Sequence, residues 1–239
     1  MKLDLNEKHI VITGGTGALG SAVTQLLLNS GAKCSIPCFD ETELKSFDLK
    51  DHEQIFLKKG VDLTDEEAAY SFFSDAIAEQ GPLWGSIHVA GGFGMGSIED
   101  TTKSDFIKQI NLNLVTCYNS CRAAVQHFKD QGAGGRIVNI AARPALEPRQ
   151  GKGMTAYTTA KAGVAALTQS LAAEVVEDDI LVNAIAPSVI DTPQNREGMP
   201  NADFDKWPKP EELAEQIAYL ASPQNKVTRG GVIPVYGKS

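Results

Sequence analysis

The stretch His9-Ile10-Val11-Ile12-Thr13-Gly14-Gly15-Thr16-Gly17-Ala18-Leu19-Gly20 decides the fold. It opens as an apolar strand, passes through a tight turn and runs into a helix-patterned segment. Glycine permits positive φ and close backbone approach, and a helix N-terminus presents unpaired N–H groups to an anion. A glycine pattern alone is a weak signal. Placed after the first strand of a βαβ run, it reads as the turn that holds the pyrophosphate of a dinucleotide.

Working outward, short β-rich runs alternate with longer helix-patterned stretches along the whole chain. The strand runs are His9–Thr13, Lys33–Cys38, 54–58, 86–90, 136–140, 181–186 and Val232–Val235. Helical stretches are predicted over 18–30, 41–50, 65–80, 103–131, 155–176 and 211–221. Such alternation predicts a parallel sheet covered by helices on both faces. No composition shift or linker divides the chain, so one domain spanning 1–239 is expected. Thr64-x-x-Glu67 has the capping-box pattern, and Pro210 suits a first helical turn. A second glycine cluster, Gly91, Gly92, Gly94 and Gly96, follows the fourth strand run. In an open α/β sheet the ligand crevice lies beyond the carboxyl ends of the strands, which is where both clusters fall.

Composition narrows the partners. The 239 residues carry a formal net charge of −8, and no Lys/Arg block exceeds two residues, so no nucleic-acid role is expected. The segment 1–8 has no apolar core of the signal-peptide kind, and no apolar run approaches the ~18 residues that span a bilayer. The reading is therefore a cytoplasmic protein without membrane attachment. The four cysteines fall as two pairs. Cys34 and Cys38 lie in one strand run, roughly 13 Å apart and too far to share an ion. Cys117 and Cys121 lie one turn apart on a helix with no histidine or carboxylate adjacent on that face, so buried reduced thiols and no metal site are expected.

Tyr157-Thr158-Thr159-Ala160-Lys161 places a phenol and an ammonium on one helical face. A fixed cation nearby favours phenolate, lowering the tyrosine pKa from about 10 and fitting it for general acid–base work. Taken alone, Tyr-x-x-x-Lys more often marks a solvated pair.

Together these features resemble the short-chain dehydrogenases/reductases over essentially the whole chain. The resemblance rests on the Thr13-to-Gly20 turn, Asp62-Leu63, Ala90-Gly91, Tyr157/Lys161, and Asn183-Ala-Ile-Ala-Pro187 with Thr192, which follow the family's order. It implies a single-domain, doubly wound, Rossmann-like parallel sheet of seven strands, and an NAD(P)-dependent oxidoreductase. By the same resemblance Gly14, Thr16, Ala18, Leu19 and Gly20 hold the pyrophosphate. Asp62 and Leu63 meet the adenine, Ala90 and Gly91 border the cofactor, and Pro187, Ile190 and Thr192 lie on its carboxamide and phosphate side. Tyr157 exchanges a proton with the substrate oxygen, Lys161 binds the nicotinamide ribose, and Asn113 holds a water linking Lys161 to solvent. The family's habit of pairing helices implies a homodimer or homotetramer.

The departures set the substrate question. Where the family carries a substrate-polarising serine, this chain has Ala142, followed by Arg143. A lost oxyanion donor costs on the order of 3 kcal/mol, so another donor (Arg143, Thr155 or Thr158) substitutes or the substrate needs less polarisation. His88-Val89-Ala90-Gly91 stands where two asparagines usually precede the Ala-Gly. Ala90-Gly91-Gly92-Phe93, Ala142-Arg143 and the segment 191–207 resemble the dihydropteridine reductases, which act on a conjugated C=N system. Three readings follow: reduction of a small carbonyl or oxidation of its alcohol, reduction of a conjugated heterocycle, or a nucleotide-sensing protein that has lost chemistry. After the second strand run, Cys38 and Phe39 supply neither the acidic nor the basic residue that reads the adenosine ribose. Asp40, Glu41 and Glu43 would repel a 2′-phosphate, which favours NAD over NADP. The length excludes the family's larger two-lobed members.

Overall fold

The computed structural model describes residues 3–239; Met1 and Lys2, which open the segment 1–8 discussed above, lie outside the described residues. Seven strands form one all-parallel sheet: β1 His9–Thr13, β2 Lys33–Cys38, β3 Ile55–Lys59, β4 Leu83–His88, β5 Gly135–Ile140, β6 Ile180–Pro187 and β7 Val232–Val235. Their spatial order is β3-β2-β1-β4-β5-β6-β7, so the chain reverses direction across the sheet between β1 and β4. The helices are α1 Ala18–Asn29, α2 Glu66–Gln80, α3 Lys103–Ile110, α4 Thr116–Gln131, α5 Arg143–Leu146, α6 Thr155–Glu174, α7 Pro193–Gly198 and α8 Pro210–Ala221. The expected single domain, doubly wound with seven strands, is the one found.

Strand alternation builds two cores from one sheet. Ile10 and Ile12 turn to the layer containing Leu19, Val23 and Leu27 of α1 and Leu213 and Ile217 of α8. Val11, between them, turns to Phe72 and Phe73 of α2 and to Phe128 of α4. Both faces are thus dry, as a parallel sheet requires.

Several local expectations change. The stretch 41–50 is not a helix but a short 3-10 turn, Glu41–Lys45, capped by the Asp40 carboxylate, which accepts from Thr42 N. Ser46 Oγ donates to Glu43 O at 3.1 Å at its end. The cap of α2 is Asp65, accepting from Ala68 N at 2.8 Å, and not Thr64. Thr64 Oγ1 instead donates to Asp62 Oδ1 at 2.7 Å. The stretch 103–131 is broken by a π-helical turn, Asn111–Val115, of the kind that often marks a functional position. Segment 143–154 contains α5 and a 3-10 turn, Pro148–Gly151. Pro210 does occupy the first turn of α8.

His9 is buried at the foot of β1, with Nδ1 2.8 Å from Gly81 O and Nε2 2.8 Å from Ser35 Oγ. A carbonyl only accepts, so Nδ1–H donates and Nε2 accepts from the serine. Burial pulls its pKa down to about 4. The unfolded imidazole takes a proton below about 6.5 while the buried one does not, so stability falls as pH drops from about 6.5 to 4. The loss is about 2–3 kcal/mol at pH 4.5. Urea unfolding at pH 7 and 4.5 should show this loss in excess of that in His9→Gln; equal losses in the two proteins would refute it.

Candidate active site

The cleft lies where β1 and β4 part and the chain turns back on itself. Gly14 adopts φ +64°, and a Cβ there would come within 2.7 Å of Ala90 N. At Gly20 a Cβ would fall 2.0 Å from Gly14 O. The β1–α1 turn is therefore pressed against both its own helix and the β4 loop, and Ala90 N–H donates to Thr13 Oγ1 at 3.2 Å. Gly17 caps α1 without a side-chain hydrogen bond, and no acidic residue sits in the first turn. An uncapped helix end and a turn with no room for a Cβ fit a pyrophosphate.

The other positions that the resemblance assigns to a cofactor distribute around this turn as follows. Thr16, Ala18 and Leu19 line the cleft beside Gly14 and Gly20. Asp62 and Leu63 form its wall below β3, although the Asp62 carboxylate is engaged by Thr64 N and Oγ1. Ala90 and Gly91 form the opposite wall, and Ile190 and Thr192 reach it from the loop after β6. Thr192 Oγ1 also caps α7, accepting from Asn195 N at 3.2 Å. Pro187 closes β6 but is not part of the cleft wall.

At the Gly91 end three polar side chains converge. A Cβ on Gly91 would lie 2.7 Å from Asn113 Oδ1 and 3.4 Å from Lys161 Nζ. Asn113, in the π-helical turn, is buried; its Oδ1 accepts from Gly92 N at 3.1 Å and its Nδ2 donates to Gly92 O at 2.9 Å. The amide thus fastens the second glycine cluster. Lys161, also buried, donates from Nζ to Ile140 O at 2.8 Å, and burial lowers its pKa to about 8. Its Nζ lies 6.0 Å from the Tyr157 ring centroid. Burial pushes the Tyr157 phenol up to about 12, opposite to the lowering expected from the lysine. In the protein alone desolvation outweighs the ammonium, which is turned toward the Ile140 carbonyl.

Two residues named from the sequence make contacts it did not reveal. Phe93 stands edge-on to Tyr157, with centroids 5.2 Å apart, and is 62% exposed at the cleft rim. A glycine-rich loop has no periodicity to reveal such a contact. Glu43 accepts a hydrogen bond from Thr16 Oγ1, bringing a carboxylate over the glycine turn. Of the groups considered as substitutes for the missing serine, Arg143 is paired with Glu147 at 3.1 Å and stacks 4.8 Å from the Tyr236 ring. The buried Thr158 hydroxyl packs against Gly151 without a hydrogen-bond partner. The expectation that Cys117 and Cys121 have no histidine near them is incorrect, because His88 reaches them from β4.

The family model for short chain dehydrogenase matches residues 8–202. The chain belongs to this family. This short-chain dehydrogenase is 30% identical to an acetoacetyl-CoA reductase from Synechocystis sp., over 99% of its own length and 98% of the relative's. It is 27% identical to an L-rhamnose-1-dehydrogenase from Scheffersomyces stipitis, over 98% and 96% of the two chains. Among solved structures it superposes on ElxO with NADP bound at a TM-score of 0.87, with 25% identity over 96% of this chain and 97% of that one. The protein is thus an oxidoreductase of a family that uses NAD or NADP. No helix among its described residues is long and apolar enough to cross a membrane.

Proposed function

We propose that the chain transfers hydride between a nicotinamide and a small carbonyl or alcohol substrate in the cytoplasm, with Tyr157 as general acid and base. The observation that carries this reading is the convergence of Lys161 and Asn113 under Gly91, with Tyr157 one helical turn from Lys161. When bound, the nicotinamide supplies or accepts the hydride. The chain's own residues do the rest. A phenol with a pKa near 12 is fully protonated at neutral pH, ready to donate to an oxygen gaining negative charge. Lys161, whose Nζ lies beside Gly91, would serve a ribose hydroxyl, and Asn113 holds the Gly92 backbone. Phe93 shields the phenol from water on one side.

Charge favours NAD. Glu43 and Asp40 both line the adenosine end of the cleft, where a 2′-phosphate would add close to two further negative charges. Titration should give NADH an affinity at least about tenfold above NADPH, a difference of about 1.4 kcal/mol. A panel of small ketones, aldehydes and alcohols, with a quinonoid dihydropterin added because Ala142 offers no donor, should contain a compound that oxidises bound NADH or reduces NAD. Micromolar cofactor binding with no turnover across the panel would reject the hydride-transfer reading in favour of nucleotide sensing. The Ala-rich α6 offers a face for a second copy, and light scattering should report a dimer or tetramer.

A further inference from the structure

A second constellation of chemically capable side chains lies behind the cleft, in the layer between the sheet and α4. Cys117 and Cys121 are one turn apart on α4, so their thiols share a face. His88 ends β4 and is the register partner of Asn139 on β5, which puts their side chains next to each other on the same side of the sheet. All four are buried. The ligand atoms of His88, Cys117 and Cys121 lie within 4.8 Å of one another. Cys121 Sγ is 3.4 Å from His88 Nδ1 and 3.5 Å from Asn139 Oδ1.

We propose that His88, Cys117, Cys121 and Asn139 form a tetrahedral site for a thiophilic d10 cation of the zinc type, separate from the dinucleotide cleft. Three donors about 4 Å apart enclose a point about 2.3 Å from each, the usual zinc–thiolate length. Even at the outer limit, closing on the ion moves each donor by only about half an ångström. The supporting contacts are in place. Ser86 Oγ sits 2.7 Å from His88 Nε2, which leaves Nδ1 to face the sulfurs. Asn139 Nδ2 donates to Thr168 Oγ1 at 2.9 Å, and Thr168 in turn donates to Val164 O at 2.8 Å. That fixes the amide so that its oxygen, not its nitrogen, points inward. Outer partners of this kind are what orient metal ligands.

The chemistry balances without redox change. Without metal, His88 Nδ1–H donates to Asn139 Oδ1 at 2.8 Å. On binding, the ring changes tautomer, so that Nε2–H donates to Ser86 Oγ and the Nδ1 lone pair is freed. Two S–H bonds break, two metal–sulfur bonds form and two protons leave to solvent. Two thiolates cancel a divalent charge, giving a neutral complex suited to a dry core. Because the four residues are closed off, the ion is acquired during folding.

The test is refolding of the tag-free full chain with Zn2+ or Co2+, followed by chelator treatment and gel filtration. Wild type should retain about one metal per chain, and the cobalt form should show thiolate-to-metal charge-transfer absorption; both readouts should fall at least tenfold in Cys117→Ser and Cys121→Ser. Cys34→Ser, which alters a thiol of the other pair, should retain the metal and serves as the folded control. Retention of less than about a tenth of an equivalent by wild type would overturn the proposal. So would cobalt binding without the charge-transfer band, or retention by the Cys117→Ser and Cys121→Ser variants equal to that of wild type.

Discussion

Replacing Tyr157 by Phe is expected to lower turnover by about 10²- to 10⁴-fold, the range that a positioned general acid supplies. This corresponds to about 3–5 kcal/mol of transition-state stabilisation. The substitution removes one oxygen and keeps the ring, so the edge-on contact with Phe93 at 5.2 Å survives. The glycine turn proposed to hold the pyrophosphate joins β1 to α1, away from this helix, so dinucleotide affinity should stay within about threefold. The split between kcat and cofactor affinity is the informative result. Loss of both together would mean that the variant disturbs the cleft. Unchanged turnover would remove Tyr157 from the mechanism, since a phenol held near pKa 12 is the proton donor this reading relies on.

How much of this was legible follows from which forces are local. The glycine turn was readable because its requirement is steric and contained in a dozen residues: Gly14 at φ +64° and Gly20 against Gly14 O admit nothing larger. The strand runs were readable because a strand buried on both faces, as β1 is with Ile10 and Val11 in different cores, is apolar along its length. Asn113 could be placed by counting, but the π-helical turn that carries it could not be seen in the sequence. The direction of the Tyr157 shift was misjudged for a related reason. Spacing shows that Tyr157 and Lys161 share a helix face. It does not show that Lys161 Nζ is turned to Ile140 O while the phenol is desolvated. His88 joins Cys117 and Cys121 only through the packing of β4 on α4, a contact with no signature in either segment. Ala142 was visible as a departure, whereas the stacking of Arg143 on Tyr236 depends on how the chain returns after β7.

Gly20→Ala is expected to weaken dinucleotide binding by at least about a hundredfold, about 2.7 kcal/mol, and to lower the unfolding midpoint as well. The added methyl would sit 2.0 Å from Gly14 O and 2.7 Å from both Gly14 C and Gly15 Cα. All three are backbone atoms, so no side chain can rotate away. The turn itself must lift, yet Gly14 is held from the other side, where a Cβ would already be 2.7 Å from Ala90 N. Relief therefore means moving either α1 off the strand or the β4 loop off the turn. Either displacement carries the helix N–H groups away from the place proposed for the pyrophosphate. Gly17→Ala is the matched control. Its Cβ would meet only Gly14 O, at an ordinary 3.6 Å, and the residue already has an extended backbone with φ −75°. That variant should bind within about threefold of wild type and lose no more than about 1 kcal/mol of stability. A calorimetric comparison of the two proteins decides the point. Equal cofactor affinities for the two variants would show that the 14–20 turn is not where the dinucleotide is held.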